Sequence, residues 1–156
     1  MATHIGTAAL AQTRSTGELA DTGELSRYVV LAGRVLFAAI FIVASIGHFT
    51  SAEIAYAAAA GVPCAGIAVP VSGILALVGA LSILFGYRAR LGAWLLVLFL
   101  VPVTLALHNF WAFADAGTRQ LQLAMFLKNL SILGGALFIT HFGAGPLSLD
   151  ARAGRR

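Results

Sequence analysis

The apolar residues of this chain form four long runs, at residues 28–47, 67–85, 91–107 and 121–141, with short polar breaks between them. Within these runs the charged side chains are Arg34 and Lys128 alone. A helix satisfies its own backbone amides, so an apolar run of about 20 residues can cross the hydrocarbon core of a bilayer as a helix. The pattern predicts an all-α protein, an integral membrane four-helix bundle.

Basic residues outside the runs predict how the bundle is oriented in the membrane. Seven of them flank the runs on one side: Arg14, Arg27, Arg88, Arg90, Arg152, Arg155 and Arg156. The loops on the opposite side carry only Arg119. Because cytoplasmic loops of membrane proteins are enriched in Lys and Arg, both termini and the turn at residues 86–90 are expected in the cytoplasm.

The segments around the runs are polar or rich in small residues. Residues 1–26 lack the apolar middle of a cleavable signal peptide, and their composition predicts a mobile cytoplasmic tail. Residues 27–150 form the predicted membrane domain, and residues 151–156 a basic cytoplasmic tail. In the first outer loop, the Ala-rich stretch from Glu53 to Ala60 predicts a short helix at the membrane surface.

Composition excludes several other classes of protein. With 60% hydrophobic and 10% charged residues, the chain cannot cover itself with a water-facing surface. Its net charge of +4 comes from basic residues at helix ends rather than from a continuous basic stripe, so no nucleic-acid partner is predicted. The single cysteine, Cys64, excludes an intrachain disulfide. No metal site is predicted, because His141 lies at the opposite end of the bundle from His48 and His108.

Small and polar residues mark the helix faces that should be buried, since they permit close packing and avoid lipid. At spacings of three and four they give one stripe in each of three runs: Arg34, Ala38, Phe41, Ser45 and His48 in the first; Ser72, Ala76, Gly79, Ser82 and Gly86 in the second; Ala124, Lys128, Ser131 and Gly135 in the fourth. We expect these faces to meet inside the bundle.

Polar side chains also gather toward the outer ends of the helices. This set holds two imidazoles, two amides, one ammonium and one indole: His48, His108, Asn109, Asn129, Lys128 and Trp111. Such groups beside an apolar interior suit the carbonyls of a quinone, so the set is the predicted cofactor-binding site. Each member also has a structural interpretation, with the histidines and Asn109 as helix-end caps, Trp111 in an aromatic belt, and Lys128 extended to the surface.

Six short motifs together resemble a known family. They are Gly33-Arg34, Ala60-Gly61-Val62-Pro63, Leu84-Phe85-Gly86-Tyr87-Arg88, His108-Asn109-Phe110-Trp111, Phe126-Leu127-Lys128-Asn129-Leu130-Ser131 and Gly145-Pro146-Leu147-Ser148-Leu149-Asp150. In order and spacing they are similar to the DoxX family of small bacterial membrane proteins. The resemblance implies a multi-pass protein of the bacterial inner membrane. Some relatives are tied to quinone-linked oxidation, and the positions to carry over are His108, Trp111, Lys128 and Asn129.

Two hypotheses about function follow. In the first, the chain is a redox-associated membrane subunit that binds a quinone in the outer half of the bundle and works with a partner oxidoreductase. His108 and Lys128 then donate hydrogen bonds to the quinone, supported by His48 and Asn109. In the second, the bundle is a non-enzymatic anchor that helps to assemble another membrane or periplasmic protein through its small-residue faces and the Ala-rich outer loop. The predicted partners are the lipid bilayer and either a partner protein or a second copy of the chain. Neither hypothesis assigns a catalytic residue.

Overall fold

The computed structural model describes the backbone of residues 3–154 and the side chains of residues 23–154. The described chain is helical and contains no strand. Its elements are α1 (Thr3–Gly47), α2 (Ser51–Ala59), α3 (Ala65–Phe85), α4 (Ala89–Leu107), a 3-10 turn (Phe110–Ala112), α5 (Ala116–Phe142) and α6 (Leu149–Ala153).

Four segments are long and apolar enough to cross a bilayer: Gly23–Gly47, Ala65–Phe85, Ala89–Ala112 and Ala116–Phe142. The predicted all-α, four-helix membrane fold is therefore confirmed. Because the number of spans is even, the two ends of the described chain lie on the same side of the membrane.

The four spanning helices pack in sequence, α1 on α3, α3 on α4 and α4 on α5. Glycines bring the backbones of α3 and α4 into contact. A Cβ atom at Gly79 would lie 2.8 Å from the carbonyl oxygen of Gly92, and one at Gly92 would lie 2.9 Å from the carbonyl oxygen of Gly79. Lipid tails are as apolar as the side chains of the helices, so the hydrophobic effect does not drive helices together inside a bilayer. Close approach at glycines instead stabilises the pair through van der Waals contacts. At the α3–α4 crossing, glycine therefore makes room on both helices.

Four of the five residues predicted on the inward face of α1 are buried, namely Arg34, Ala38, Phe41 and Ser45, and the fifth, His48, is half-buried. On α3 the core positions include Ala76 and Gly79, as the predicted stripe requires.

On α5 the predicted inward face is wrong by about one position. Asn129 and Ala136 are its buried residues, whereas Ala124, Lys128 and Ser131 are exposed. Successive helix residues are rotated by about 100°, so a shift of one residue turns the face sideways. Of these two adjacent polar residues, Asn129 therefore faces the bundle and Lys128 lies at its edge.

The chain after α5 folds back over the end of the bundle that carries the α3–α4 turn. The Arg34 guanidinium donates hydrogen bonds to the carbonyl oxygens of Ala144 at 3.0 Å and Leu147 at 2.9 Å. The Asp150 carboxylate accepts from the backbone amides of Arg88 at 2.8 Å and Ala89 at 3.1 Å, so it caps the start of α4. We call this the terminal end of the bundle, defined by residues 86–90 and 143–154.

The opposite end, which we call the loop end, is formed by α2 and the 3-10 turn. The predicted short helix is present as α2, and its Ala57 packs against Ala65 and Val69 of α3. Asp115 caps α5 by accepting from the Thr118 amide at 2.7 Å, and this hydrogen bond holds the pKa of the Asp115 carboxyl below its ordinary value.

Both predicted tails are helical in part. Helix α1 begins at Thr3, so residues 3–26 continue the first spanning helix as helical backbone. The mobility predicted for residues 1–26 stays a prediction. Part of the predicted C-terminal tail lies in α6, and residues 1–2 and 155–156 fall outside the described chain.

Candidate functional site

A polar cavity of about 170 Å³ lies at the loop end, between α1, α4 and α5. Helix α2 contributes to it from the side. Its polar lining residues are His48, Glu53, Tyr56, His108, Lys128 and Asn129. Of the six residues predicted as a site, the structure brings together His48, His108, Lys128 and Asn129.

The cavity exists because α1 and α5 pack on different neighbours, on α3 and α4 respectively. Nearer the terminal end, the Phe37 ring lies against Gly135, where an added Cβ would come within 3.0 Å of it. At the depth of the cavity the helices instead face each other across open space lined by Phe41, Phe99 and Ile132. The site therefore has an apolar floor and a polar end.

His48 is held by its own helix and by two neighbours. Its Nδ1 atom lies 3.0 Å from the carbonyl oxygen of Ala44, and its ring stacks at a tilt on Phe99 with 5.6 Å between centroids. Gly73 of α3 makes room for it, since a Cβ there would lie 2.5 Å from the His48 Cβ. A carbonyl oxygen only accepts, so Nδ1 carries the proton and Nε2 of the neutral ring is a hydrogen-bond acceptor.

His108 ends α4 and is oriented by a residue of α5. Its Nδ1 atom lies 2.9 Å from Oε1 of Gln122. With that oxygen as acceptor, Nδ1 is again the donor and the neutral ring presents Nε2 as an acceptor. Gln122 was not identified from the sequence, because its importance depends on how α5 is rotated against α4.

Lys128 and Asn129 are the polar groups of α5 at the cavity. Asn129 is 7% exposed, and it lines the cavity. The Lys128 ammonium contacts the thioether sulfur of Met125 at 3.5 Å, a weak acceptor one turn toward the loop end. Among residues 23–154 the ion pair present is Arg27 with Glu24, so Lys128 and Glu53 line one cavity without pairing.

Asn109 and Trp111 lie outside the cavity lining. Helix α4 ends at Leu107 and the chain turns into the 3-10 segment, which Asn109 precedes. Trp111 is 58% exposed and packs edge-on against Phe110 and Phe126, with centroids 5.1 and 6.0 Å away. These contacts place the Trp111 ring in an aromatic cluster at the loop end, apart from the four predicted residues that line the cavity.

A second, apolar hollow of about 340 Å³ lies on the other side of α4, against α2 and α3. It shares Phe99, Val103 and Leu107 with the polar cavity, so these three side chains form a common wall. Sequence reasoning did not predict this hollow, nor that Glu53 and Tyr56 reach the polar cavity. Both depend on α2 folding back onto α3.

Four apolar spanning helices, with a polar cavity between them at one end, define a small multi-pass α-helical membrane protein. Comparison with protein families shows the family to which it belongs. The model described as SURF4 family matches residues 9–155, nearly the whole chain, and the chain belongs to the SURF4 family. The DoxX resemblance is therefore wrong as an assignment of family.

Individual relatives agree with this assignment. The chain is 35% identical over 123 residues to the inner membrane protein YqjF of Escherichia coli strain K12, which covers 78% of this chain and 88% of YqjF. It is 25% identical over 134 residues to YphA, another inner membrane protein of that strain, covering 85% of this chain and 95% of YphA. Together with the four spans, these relatives support a multi-pass inner-membrane protein, as predicted.

The ER-derived vesicles protein ERV29 of Saccharomyces cerevisiae is 34% identical over 79 residues, 51% of this chain. The match spans only 25% of the length of ERV29. No solved structure matches the chain.

Proposed function

We propose that this membrane protein binds the head group of a quinone or quinol in the polar cavity at the loop end. The observation that carries the proposal is the convergence of His48, His108 and Lys128, from three helices, on one cavity. Its volume of about 170 Å³ suits a single substituted ring, because cavities of roughly 150 Å³ hold benzene.

The hydrogen-bonding groups fit both forms of such a ligand. Nδ1 is the donor in each histidine, so neutral His48 and His108 offer Nε2 as an acceptor for a hydroxyl proton. Lys128 and Asn129 supply donors for a carbonyl or phenolate oxygen. With Nδ1 of His108 on Oε1 of Gln122, a neutral His108 ring would accept from a quinol hydroxyl, and Lys128 would be the donor to a quinone carbonyl.

The charge of Lys128 adds to the argument. A lysine within a membrane-spanning helix is costly unless it reaches water or an acceptor, and the thioether of Met125 is a poor acceptor. A ligand oxygen in the cavity would supply a better one. In a site of low dielectric, the ammonium would also stabilise negative charge that develops on that oxygen.

A bound quinone supplies the capacity to carry electrons and protons. The residues of this chain would bind and orient its ring and accept or donate protons at its two oxygens. The proposal assigns electron transfer itself to a partner oxidoreductase, which makes this chain a membrane subunit and not a complete enzyme.

Calorimetric titration of the detergent-purified protein with short-chain ubiquinone and menaquinone analogues tests the proposal. We expect the wild type to bind one of them and the double variant His108→Ala, Lys128→Ala to bind at least about tenfold more weakly, since two lost hydrogen bonds cost roughly 1 kcal/mol each. The matched control is Ser131→Ala, also on exposed α5 surface but outside the cavity lining. Equal binding by wild type and double variant, or none by either, would contradict the proposal.

A second candidate function is an assembly partner for another membrane protein. It is favoured by α5, which has the smallest share of buried residues among the four spans and exposes Ala124 and Ser131 beside Lys128. Small residues on an exposed spanning face allow another helix to approach closely. Extraction in mild detergent should then recover a stable complex, whereas recovery of the chain alone as a monomer would count against this function.

A further inference from the structure

A second cavity, at the terminal end, is built from a different set of residues. It has a volume of about 550 Å³ and is open to the surroundings. Its walls are the start of α4 and the segment that follows α5, with Arg88, Arg90, Phe142, Gly143 and Asp150 among the lining residues. The polar cavity of the proposed function lies at the other end of the bundle, so the two are independent.

Hydrogen bonds fix the shape of this cavity. Arg88 has a left-handed backbone, with φ 48°, where the chain turns from α3 into α4. Both oxygens of Asp150 are occupied by the amides of Arg88 and Ala89, and the Asp150 amide donates to the Gly86 carbonyl at 2.8 Å. The C-terminal segment is thereby held against the α3–α4 turn. The cavity is a built feature of the fold and not a gap between loose loops.

Two guanidinium groups in the lining have no anionic partner. Neither the Arg88 nor the Arg90 side chain donates a hydrogen bond or forms an ion pair within residues 23–154. The Arg88 guanidinium lies 5.7 Å from the centroid of the Tyr87 ring, and Arg90 lies across Gly143, where an added Cβ would be 3.5 Å from Nε. The nearby carboxylate, Asp150, keeps its charge while it accepts from backbone amides, so two arginines against one aspartate leave the lining with a formal charge of +1.

Backbone amides also belong to the lining. Ala144 and Gly145 line the cavity, and their backbone amides donate no hydrogen bond to a described residue. Guanidinium groups and backbone amides are the donors that proteins use for phosphate oxygens. The lining of this one open volume therefore includes two guanidinium groups and two residues whose backbone amides are not used within the described chain.

Apolar neighbours indicate where such a phosphate would come from. Leu91 and Phe142 also line the cavity, and they are 58% and 71% exposed. Both lie at the ends of membrane-spanning helices, where the hydrocarbon core meets the head-group layer. The acyl chain of a lipid can pack against these two side chains while the phosphate of its head group contacts the arginines. Free inorganic phosphate has no acyl chain and can make only the second contact.

We propose that the terminal-end cavity binds a phosphate anion, supplied by the head group of an anionic phospholipid. Arg88 and Arg90 contact the phosphate, and Leu91 and Phe142 contact the start of the acyl chains. A basic pocket between spanning helices is a recurrent way to hold such lipids.

Native mass spectrometry of the detergent-solubilised protein, titrated with phosphatidylglycerol or with phosphatidylcholine, tests this inference. We expect the wild type to bind phosphatidylglycerol more tightly than phosphatidylcholine. The single variant Arg90→Gln should bind phosphatidylglycerol about fivefold more weakly than the wild type, and the double variant Arg88→Gln, Arg90→Gln about fivefold more weakly again. The Arg90→Gln variant should fold like the wild type, because the Arg90 side chain makes no hydrogen bond in the described chain. Arg152→Gln is the matched control, since it removes the same charge at the same end from a residue outside the lining.

A second titration uses inorganic phosphate, which separates the two sources of the anion. Binding of phosphate that depends on Arg90, without preference for phosphatidylglycerol, would identify free phosphate as the ligand and overturn the assignment to lipid. Equal lipid binding by wild type and double variant, or an equal loss in Arg152→Gln, would overturn the site itself.

Discussion

The imidazole of His108 and the side-chain amide of Gln122 meet across the α4–α5 interface, with 2.9 Å between Nδ1 and Oε1. The contact orients the His108 ring, and when Oε1 accepts from Nδ1 it leaves Nε2 of the neutral ring as an acceptor. Gln122 is therefore a positioning residue for the proposed head-group site.

Gln122→Leu should weaken binding of the quinone analogue about fivefold, because one oriented hydrogen bond contributes roughly 1 kcal/mol. Titration calorimetry measures this directly. The matched control is Gln120→Leu, which makes the same substitution on exposed α5 surface and should leave affinity unchanged. Equal affinity in Gln122→Leu and wild type would show that His108 needs no such support.

The capping contact of Asp150 on α4 predicts a stability effect far from the polar cavity. Asp150→Ala removes the acceptor for the amides of Arg88 and Ala89 and should lower the free energy of unfolding by about 1–2 kcal/mol. Asp150→Asn keeps one acceptor oxygen and should fall between the alanine variant and wild type. Thermal unfolding in detergent measures both. An unchanged midpoint in Asp150→Ala would mean that water replaces the cap without cost.

Glycine substitutions test the α3–α4 crossing. Gly79→Ala places a methyl group 2.8 Å from both the Gly92 carbonyl oxygen and the Leu96 side chain, so overpacking should cost about 1–3 kcal/mol. Gly134→Ala is the control within another spanning helix, because a Cβ there meets nothing within 4 Å. Its midpoint of thermal unfolding should be unchanged or higher, since alanine favours helix over glycine. Equal effects of the two substitutions would contradict the packing described here.

Much of the fold was predictable from the sequence. Four apolar runs admit only spanning helices, and the stripe from Arg34 to Ser45 is buried as predicted because its neighbours on α1 are strongly apolar. The face of α5 was not predictable in the same way. Lys128 and Asn129 are adjacent polar residues, and periodicity alone cannot decide which of them faces the bundle.

The candidate site was predictable only in part. His48, His108, Lys128 and Asn129 stand out because polar side chains are rare in spanning helices. Glu53 and Tyr56 reach the cavity through the packing of α2 on α3, and Trp111 leaves it because the chain turns after His108. The family was assigned wrongly because short motifs of Gly and apolar residues are shared by many membrane bundles.

Cys64 provides a test of orientation, because it is the single cysteine of the chain and is exposed beside the start of α3. If both termini are cytoplasmic, a membrane-impermeant maleimide added to intact spheroplasts should label Cys64. The control is Cys64→Ala combined with Arg152→Cys, which should be labelled only after the membrane is permeabilised. The reverse pattern would invert the topology and move the polar cavity to the cytoplasmic half.

The central claim is that the polar cavity between α1, α4 and α5 holds a quinone head group. Photolabelling with an azido-quinone, followed by mapping of the modified peptides, tests it most directly. The account predicts labels at cavity residues such as Val103, Leu107 and Ile132, suppressed by excess unlabelled quinone and lost in His108→Ala, Lys128→Ala. Labels spread evenly over lipid-facing side chains, and unaffected by either treatment, would contradict it.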